Sequence, residues 1–306
     1  MPELPEVETT TRGLQKIIKG LLIKDVWTDL ATKDKRQGGN VANPKYFKTF
    51  RKQISDKKVL SVERRAKNIL INISKGKTIL IHLKMTGHLL YGKYKFNKNK
   101  WVPMERGPLC NPFNRFVHVI FTFSNGKHLA FSDMRKFGKI TLLNTKVAHN
   151  TKHLNNIGPE PLEKQFTLEK FKECMRPASA KATGGRRIKT VLMDQGVIAG
   201  IGNIYSDEIL WRASVHPERK VSEVKENELK LIFKAIKETL AKGIAFGGDS
   251  MSDYRNIHGL PGKFQLHHEA YRRTGEKCRK KGCSGKIMRK IVNGRSAHFC
   301  SKHQVF

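Results

Sequence analysis

The hydrophobic positions change their period along the chain. Near the start, Val7, Thr11, Leu14 and Ile18 recur at helical spacing and predict one helix with a buried stripe. Short β-branched runs follow. Residues 68–73 and 78–83 flank Lys75-Gly76-Lys77 and predict a hairpin. Residues 116–123 and 128–131 flank Ser124-Asn125-Gly126, whose Asn-Gly pair is a strong turn signal, and residues 137–143 predict another strand. Short strands at close spacing predict a sandwich or barrel rather than a parallel sheet.

Beyond Ile157-Gly158-Pro159-Glu160-Pro161, read as a linker, the helical period returns. Thr167 is placed to cap a helix whose apolar positions are Leu168, Phe171 and Met175. Tyr205, Ile209, Leu210 and Ala213 form a second stripe. Leu229, Ile232, Phe233, Ile236 and Leu240 form a third, with Gly243 expected as its C-terminal cap. From about residue 265 the chain is polar and holds clustered cysteines; there is no internal repeat.

Composition narrows the partner. The chain has 306 residues, 38% of them hydrophobic and 16 of them Phe, enough to build cores and exclude disorder for most of its length. Lys and Arg number 60 against 26 Asp and Glu, a formal net charge of +34. Such a surface draws polyanions, nucleic acid first. The apolar runs fall short of the ~18 residues of a spanning helix. The opening MPELPEVETT carries acids where a secretory signal has an apolar core. No long basic amphipathic helix supports a membrane-surface reading. Five cysteines, an odd number with three near the C-terminus, fit a reducing compartment and a local metal site. The expectation is an intracellular protein that works with DNA, neither secreted nor membrane-bound.

Three places can carry chemistry. Cys278-x4-Cys283 and Cys300-x2-His303 are two short-spaced ligand pairs, as a closed tetrahedral zinc site needs, with Asn293-Gly294 turning the chain between them. So small a segment has little core and needs such a staple. His298 rivals His303 as fourth ligand. Cys110 and Cys174 stand alone and read as small hydrophobes. Gly196 to Asn203 is glycine-rich and runs into the Tyr205 helix, where backbone N–H groups can meet an anion and Asn203 can cap the helix. Finally, removal of Met1 would leave Pro2 as a secondary amine able to attack an electrophilic carbon, with Glu3 beside it as a proton donor.

From its first ten residues onward the chain resembles the formamidopyrimidine-DNA glycosylase (Fpg/Nei) family. The resemblance rests on an ordered series: MPELPEVETT, Arg64-Arg65-Ala66-Lys67, His82 to Gly87, Asp133 to Gly138, Ile157 to Leu162, Leu192 to Gln195, Gly202 to Tyr205, His216-Pro217, Tyr271 to Gly275 and the finger. It implies an α+β multidomain fold: an N-terminal β-sandwich with flanking helices over 1–150, a helix–two-turn–helix domain over 151–262 and a zinc-finger β-hairpin over 263–306. It implies excision of oxidised bases followed by strand cleavage at the abasic site.

Carried over by motif, Pro2 attacks C1′ and forms an iminium, Glu3 protonates the sugar, Glu6 supports the site, and Lys67 serves phosphate contact and proton transfer. Asn203 and Arg295 grip phosphates. Met85, Arg135 and Phe137 fill the gap left by the flipped base. DNA contacts are also implied at His82, His118, Lys136, Lys189, Lys263 and Tyr271, and residues 256–263 resemble the loop that covers the flipped base. The implied metal is one structural zinc held by Cys278, Cys283, Cys300 and His303; the implied partner is damaged double-stranded DNA, met by a monomer with no small-molecule cofactor.

The chain departs from the family pattern in three ways. The finger has Cys-x4-Cys and ends in His; Phe116-Val117-His118 replaces a His-x-His strand; and the loop before Ile188 is enlarged and basic, with Lys181, Arg186 and Arg187. Leu4-Pro5 points to the purine-excising branch, hence to 8-oxoguanine and formamidopyrimidines. The alternatives are Nei-like excision of oxidised pyrimidines and a non-catalytic protein that senses damage.

Overall fold

The structure, a computed structural model, describes residues 1–31, 39–151, 154–175 and 185–306. Lys181 of the basic loop lies outside the described residues. The chain forms two compact units: residues 1–155 with 246–263, and residues 156–245 with 264–306. Residues 246–262, read from sequence with the helical domain, thus cluster with the first unit.

The first unit opens with α1 (Leu4–Ile18), whose buried Val7, Thr11, Leu14 and Ile18 are the predicted stripe. Ten strands and a second helix follow in the order β1 (Leu22–Thr28), α2 (Pro44–Ile54), β2 (Lys57–Arg65), β3 (Asn68–Ile73), β4 (Lys77–His82), β5 (His88–Gly92), β6 (Tyr94–Asn97), β7 (Lys100–Pro103), β8 (Val117–Phe123), β9 (His128–Ser132) and β10 (Lys139–Asn144). Eight strands run in the order β10-β4-β3-β2-β1-β8-β9-β5, and β6-β7 form a separate ribbon. All pairings are antiparallel. β1 and β2 meet only at Leu22↔Lys58 and Ile23↔Lys57, so the ladder divides there into two four-stranded layers. Ile69, Ile71 and Ile79 of one layer share a core with Val26, Phe121 and Phe131 of the other. Leu14 and Ile18 of α1 and Phe50 of α2 close it. This is the expected β-sandwich with flanking helices, held chiefly by apolar area removed from water.

The second unit contains α3 (Leu168–Met175), α4 (Ile188–Leu192), α5 (Asn203–Ala213), α6 (Glu226–Ala245) and the hairpin β11 (Ile287–Val292) to β12 (Arg295–Cys300). Thr167 Oγ1 accepts the Lys170 N–H at 3.2 Å, the predicted cap of α3. Gly243 does not end its helix. It is buried inside α6, which runs to Ala245, and the left-handed backbone comes at Gly247 (φ 72°) and Gly248 (φ 86°). One internal glycine costs a helix only about 1 kcal/mol, less than the continued packing returns. No helix among the described residues is long and apolar enough to cross a membrane.

Candidate functional site

Pro2, Glu3 and Glu6 gather at the start of α1 and are all buried. Pro5 sits in the first turn, where no backbone N–H is needed. Glu3 and Glu6 close a reciprocal capping box. Glu6 Oε2 accepts the Glu3 N–H at 2.7 Å and Oε1 accepts the Asp249 N–H at 2.7 Å. The Tyr254 hydroxyl donates to the Glu6 carbonyl at 3.0 Å. A Cβ on Gly248 would stand 2.9 Å from the Glu6 side chain, so this close approach and its positive φ both require glycine. Glu6 therefore ties the N-terminal corner to the segment around 248–254, a link that no sequence spacing announces.

Lys67 lies in the two-residue turn between β2 and β3, where Arg65 pairs with Asn68, and is 5% exposed. Arg64 anchors this turn: it donates to Glu8 of α1 at 2.7 Å and to the Ala66 carbonyl at 3.1 Å. Burial pushes the Glu8 carboxyl up, but hydrogen bonding and charge from Arg64, then Arg12, outweigh it and leave Glu8 below the usual carboxylate range. Glu8 is thus a fixed anion that couples α1 to the Lys67 turn. His82 pairs with Asn68 across the ladder. Burial, then the charges of Lys84, Lys67 and Lys139, depress its pKa to about 3. The ring is neutral, and its Nδ1 accepts the Lys84 N–H at 3.0 Å, so Nε2 carries the proton and can donate.

Met85, Arg135 and Phe137 are all exposed, and Arg135 lies over the Phe137 ring at 4.6 Å. Core packing is therefore not their role. Phe137, predicted to open a strand, instead sits in the turn before β10. Asp133, fully buried, organises both turns: Oδ1 accepts from Thr86 Oγ1 and the Arg135 N–H, and Oδ2 accepts the Gly138 N–H at 2.7 Å. Ala66, Lys84 and Lys136 adopt φ of 51°, 55° and 55°, so each turn that carries Lys67, Met85 or Arg135 holds a non-glycine residue in the left-handed region. Such strain concentrates at functional turns. Lys136 and Lys263 are exposed. His118 is buried, and its Nδ1 faces both Asp29 oxygens at 2.9 and 3.0 Å. Segment 256–263 is tied down at Tyr91 N–H to Ile257 carbonyl, 2.7 Å.

In the second unit, two turns join α4 to α5. Gln195 staples them, donating to the Met193 and Ile201 carbonyls and accepting the Gly200 N–H. A Cβ on Gly158 would stand 2.6 Å from the Val197 carbonyl, which explains that glycine. The cap of α5 is Gly202, not Asn203, which is the first helical residue. Lys189 does not face outward. It is 1% exposed, and its ammonium donates to Asp207 Oδ1 (2.6 Å), Ser206 Oγ (2.9 Å) and the Asn203 carbonyl (3.3 Å). Its contact is with the Asn203 turn, not with a surface ligand. Glu208 accepts the N–H groups of Glu269, Ala270 and Tyr271, shaping the loop that carries Tyr271; burial raises its pKa against the pull of His268 and these donors.

The β11–β12 hairpin turns at Asn293-Gly294 with φ of 46° and 73°, as the dipeptide predicts, and exposes Arg295 at its tip. Asn293 donates to Thr190 of α4 at 3.0 Å. Arg295, Asn293 and Thr190 line a recess of about 210 Å³ that Arg186 also lines. The basic run before Ile188 thus contributes a guanidinium beside Arg295.

Cys278, Cys283, Cys300 and His303 bring their ligand atoms within 4.8 Å of one another. Cys283 Sγ is 3.5 Å from Cys300 Sγ, and His303 Nδ1 is 3.5 Å from both Cys278 Sγ and Cys283 Sγ. A tetrahedron with metal–sulfur bonds of about 2.3 Å and a metal–nitrogen bond of about 2.0 Å has edges of about 3.5–3.8 Å, so the group is sized for such an ion. The N–H groups of Lys280, Gly285 and Lys302 each point at the sulfur two residues earlier, at 3.4 Å. His303 Nε2 lies 3.2 Å from the Trp211 carbonyl, which fixes the proton there and leaves Nδ1 as a ligand. His298 is turned away from this cluster, toward Asp207. The two other cysteines, read as small hydrophobes, differ: Cys174 is half-buried, whereas Cys110 is exposed.

A β-sandwich with a buried N-terminal corner, joined in one chain to a helix–two-turn–helix unit with a cysteine-rich hairpin, defines a class of base-excising DNA repair enzymes. Comparison gives the particular family. The profile for the formamidopyrimidine-DNA glycosylase N-terminal domain matches residues 1–140, and that for the H2TH domain of the same enzymes matches residues 157–255. Formamidopyrimidine-DNA glycosylase from Pelotomaculum thermopropionicum is 39% identical over 98% of both chains, and that from Bacillus subtilis is 35% identical over 99% of both. A Lactococcus lactis FPG mutant in complex with Fapy-dG containing DNA superposes with a TM-score of 0.81 at 30% identity, covering all of both chains. The chain belongs to the formamidopyrimidine-DNA glycosylase family and is a DNA glycosylase.

Proposed function

We propose that the protein excises oxidised purines, 8-oxoguanine and formamidopyrimidines, from duplex DNA and cleaves the strand at the resulting abasic site. The observation that carries this reading is the buried corner of Pro2, Glu3 and Glu6, with the Lys67 turn anchored to the same helix through Arg64 and Glu8. Support comes also from the Lactococcus lactis relative, whose complexes hold Fapy-dG containing DNA and abasic site containing DNA.

Removal of Met1 frees the Pro2 nitrogen. Its lone pair attacks C1′ of the extruded nucleotide, and the damaged base leaves with the bonding pair and takes a proton. Glu3 supplies a proton to the ring oxygen as the sugar opens, leaving an iminium between Pro2 and C1′. The iminium withdraws electrons, so the 2′ proton becomes acidic. Its loss expels the 3′ phosphate, and a second, δ-elimination expels the 5′ phosphate. Lys67, and His82 donating from Nε2, serve the phosphates at these steps. Water then hydrolyses the imine and restores Pro2. Glu6 holds the corner in shape.

Met85, Arg135 and Phe137 fill the space of the flipped base, Phe137 as wedge and Arg135 as reader of the opposite base. Asn203 and Arg295 bind backbone phosphates, Lys189 acts through the turn it braces, and Tyr271 meets the DNA from the loop that Glu208 shapes. Lys136 and Lys263 add charge toward the duplex. Zinc in the Cys278, Cys283, Cys300 and His303 cluster holds the hairpin that presents Arg295; it is structural and takes no part in the chemistry. The enzyme acts as a monomer.

The test is borohydride trapping, which reduces the imine to a stable amine. Untagged enzyme is given duplexes with 8-oxoguanine opposite cytosine or with an oxidised pyrimidine. Trapping and cleavage on the first support the reading. Trapping on the second alone reassigns the base preference, and binding without trapping on either makes the protein a damage sensor. Pro2→Gly is expected to weaken trapping while binding survives.

A further inference from the structure

Among the described residues the β6–β7 ribbon pairs only with itself, so the sandwich does not need it to complete a sheet. Its turn residues Lys98 and Asn99 take φ of 45° and 62°, a tight hairpin made without glycine. Lys93, Lys95, Lys98 and Lys100 are all exposed. Among the described residues, Lys93 alone of these four has a carboxylate within 4.0 Å, that of Glu105. On the other face, Phe96 and Trp101 pack against Trp27 with ring centroids 5.6 and 6.1 Å away, and Phe96 stays 50% exposed. Beside the ribbon lies a cavity of about 510 Å³. Trp101, Leu109 and Phe116 form its apolar wall, and Lys100 and Arg115 supply cations. The one carboxylate on the wall, Asp29, is held by His118.

A polyanion with flat apolar units suits this combination. Bases inside a duplex are stacked on one another and cannot offer their faces to protein rings; unpaired bases can. We propose that the cleft between the β6–β7 ribbon and residues 109–118 binds an unpaired DNA strand, with a base against Trp101 and phosphates on Lys95, Lys98, Lys100 and Arg115. None of these residues belongs to the proposed excision machinery. The site would hold a frayed or single-stranded flank of the damaged duplex, and in that respect it rests on the reading of the protein as a DNA-acting glycosylase.

The test separates the two. Enzyme is first trapped by borohydride on a short blunt duplex with an abasic site, which occupies the excision site covalently. The trapped complex is then titrated with fluorescein-labelled oligo-dT of ten nucleotides. Binding to the trapped complex, with quenching of tryptophan fluorescence, is expected. Trp101→Ala should weaken it about tenfold, the loss of one base–ring stack, and Trp101→Phe should restore most of it. The triple variant Lys95→Ala/Lys98→Ala/Lys100→Ala should flatten its salt dependence. Trapping yield reports folding of each variant. If trapping succeeds but oligo-dT does not bind, or binds equally to wild type and to Trp101→Ala, the second site is overturned. If trapping itself fails, the fault lies with the excision reading.

Discussion

His298 Nδ1 lies 2.8 Å from Asp207 Oδ2, and the His298 N–H reaches the same oxygen at 2.9 Å. A carboxylate only accepts, so the ring proton sits on Nδ1. Asp207 Oδ1 meanwhile takes Lys189. One buried carboxylate thus joins α4, α5 and β12, the three elements that carry the Arg186 flank, Asn203 and Arg295. Lys189→Met would leave Asp207 buried without its cation. A loss of about 3–5 kcal/mol is expected in urea unfolding at neutral pH. An unchanged midpoint would remove the brace from the account of stability.

The same geometry separates the two histidines. His303→Ala should lower bound zinc from one equivalent per chain and weaken DNA binding, because the hairpin that presents Arg295 loses its staple. His298→Ala should retain the metal. Atomic absorption after dialysis decides it, and metal loss only in the His298 variant would reverse the assignment.

Arg295→Ala should weaken binding to damaged duplex about equally for all sequences and lower the slope of log K against log salt by about one. Anisotropy titrations over a range of salt read this directly. A slope equal to wild type would take Arg295 off the phosphate backbone.

Phe137→Ala should slow excision of a damaged base about tenfold or more, yet cleave a preformed abasic site at nearly the wild-type rate, because little remains to be extruded there. Asp133→Ala should do the same with a larger loss, since Asp133 sets the turns of both Met85 and Arg135. Single-turnover assays on the two substrates supply the ratio; equal slowing on both would deny the wedge.

His88 is buried, with Nε2 3.0 Å from Asn114 Oδ1, and burial lowers its pKa to about 4. Unfolded, it titrates near 6.5. Between these values the unfolded chain binds a proton that the folded one does not. His88 therefore makes stability fall as pH drops from 6.5 toward 4, by up to roughly 3 kcal/mol. His88→Gln keeps a donor for Asn114 and should flatten that acid limb. Denaturation midpoints at pH 7 and pH 4.5 would reveal it, and an unaltered limb would assign acid lability elsewhere.

Much of the fold was legible because period and punctuation agreed. The α1 stripe, the β3–β4 and β8–β9 hairpins, the Thr167 cap and the Asn293-Gly294 turn each rest on a local signal. β1, α2 and β2 went unread because their burial depends on partners distant in sequence, as in Ile23 against Phe123. The residues of the candidate site were legible from motif order, but not their supports. Nothing local links Glu6 to Asp249, Arg64 to Glu8, or Asp207 to His298; these are tertiary contacts between hydrogen-bonding groups of ordinary type. Lys189 shows the converse. Its sequence setting reads as a basic surface, and only its burial shows that its charge is used inside.

The chain leaves the first unit at 155 and returns to it for 246–263 before leaving again. On the ribosome the sandwich emerges first, but the Asp249 N–H and Tyr254 hydroxyl that complete the Glu6 corner come some ninety residues later. The sandwich is therefore made before its N-terminal corner is finished. A truncated product ending anywhere before residue 249 would carry Pro2, Glu3 and Glu6 without these supports, so the order of synthesis itself leaves the N-terminal corner of an incomplete chain unbraced.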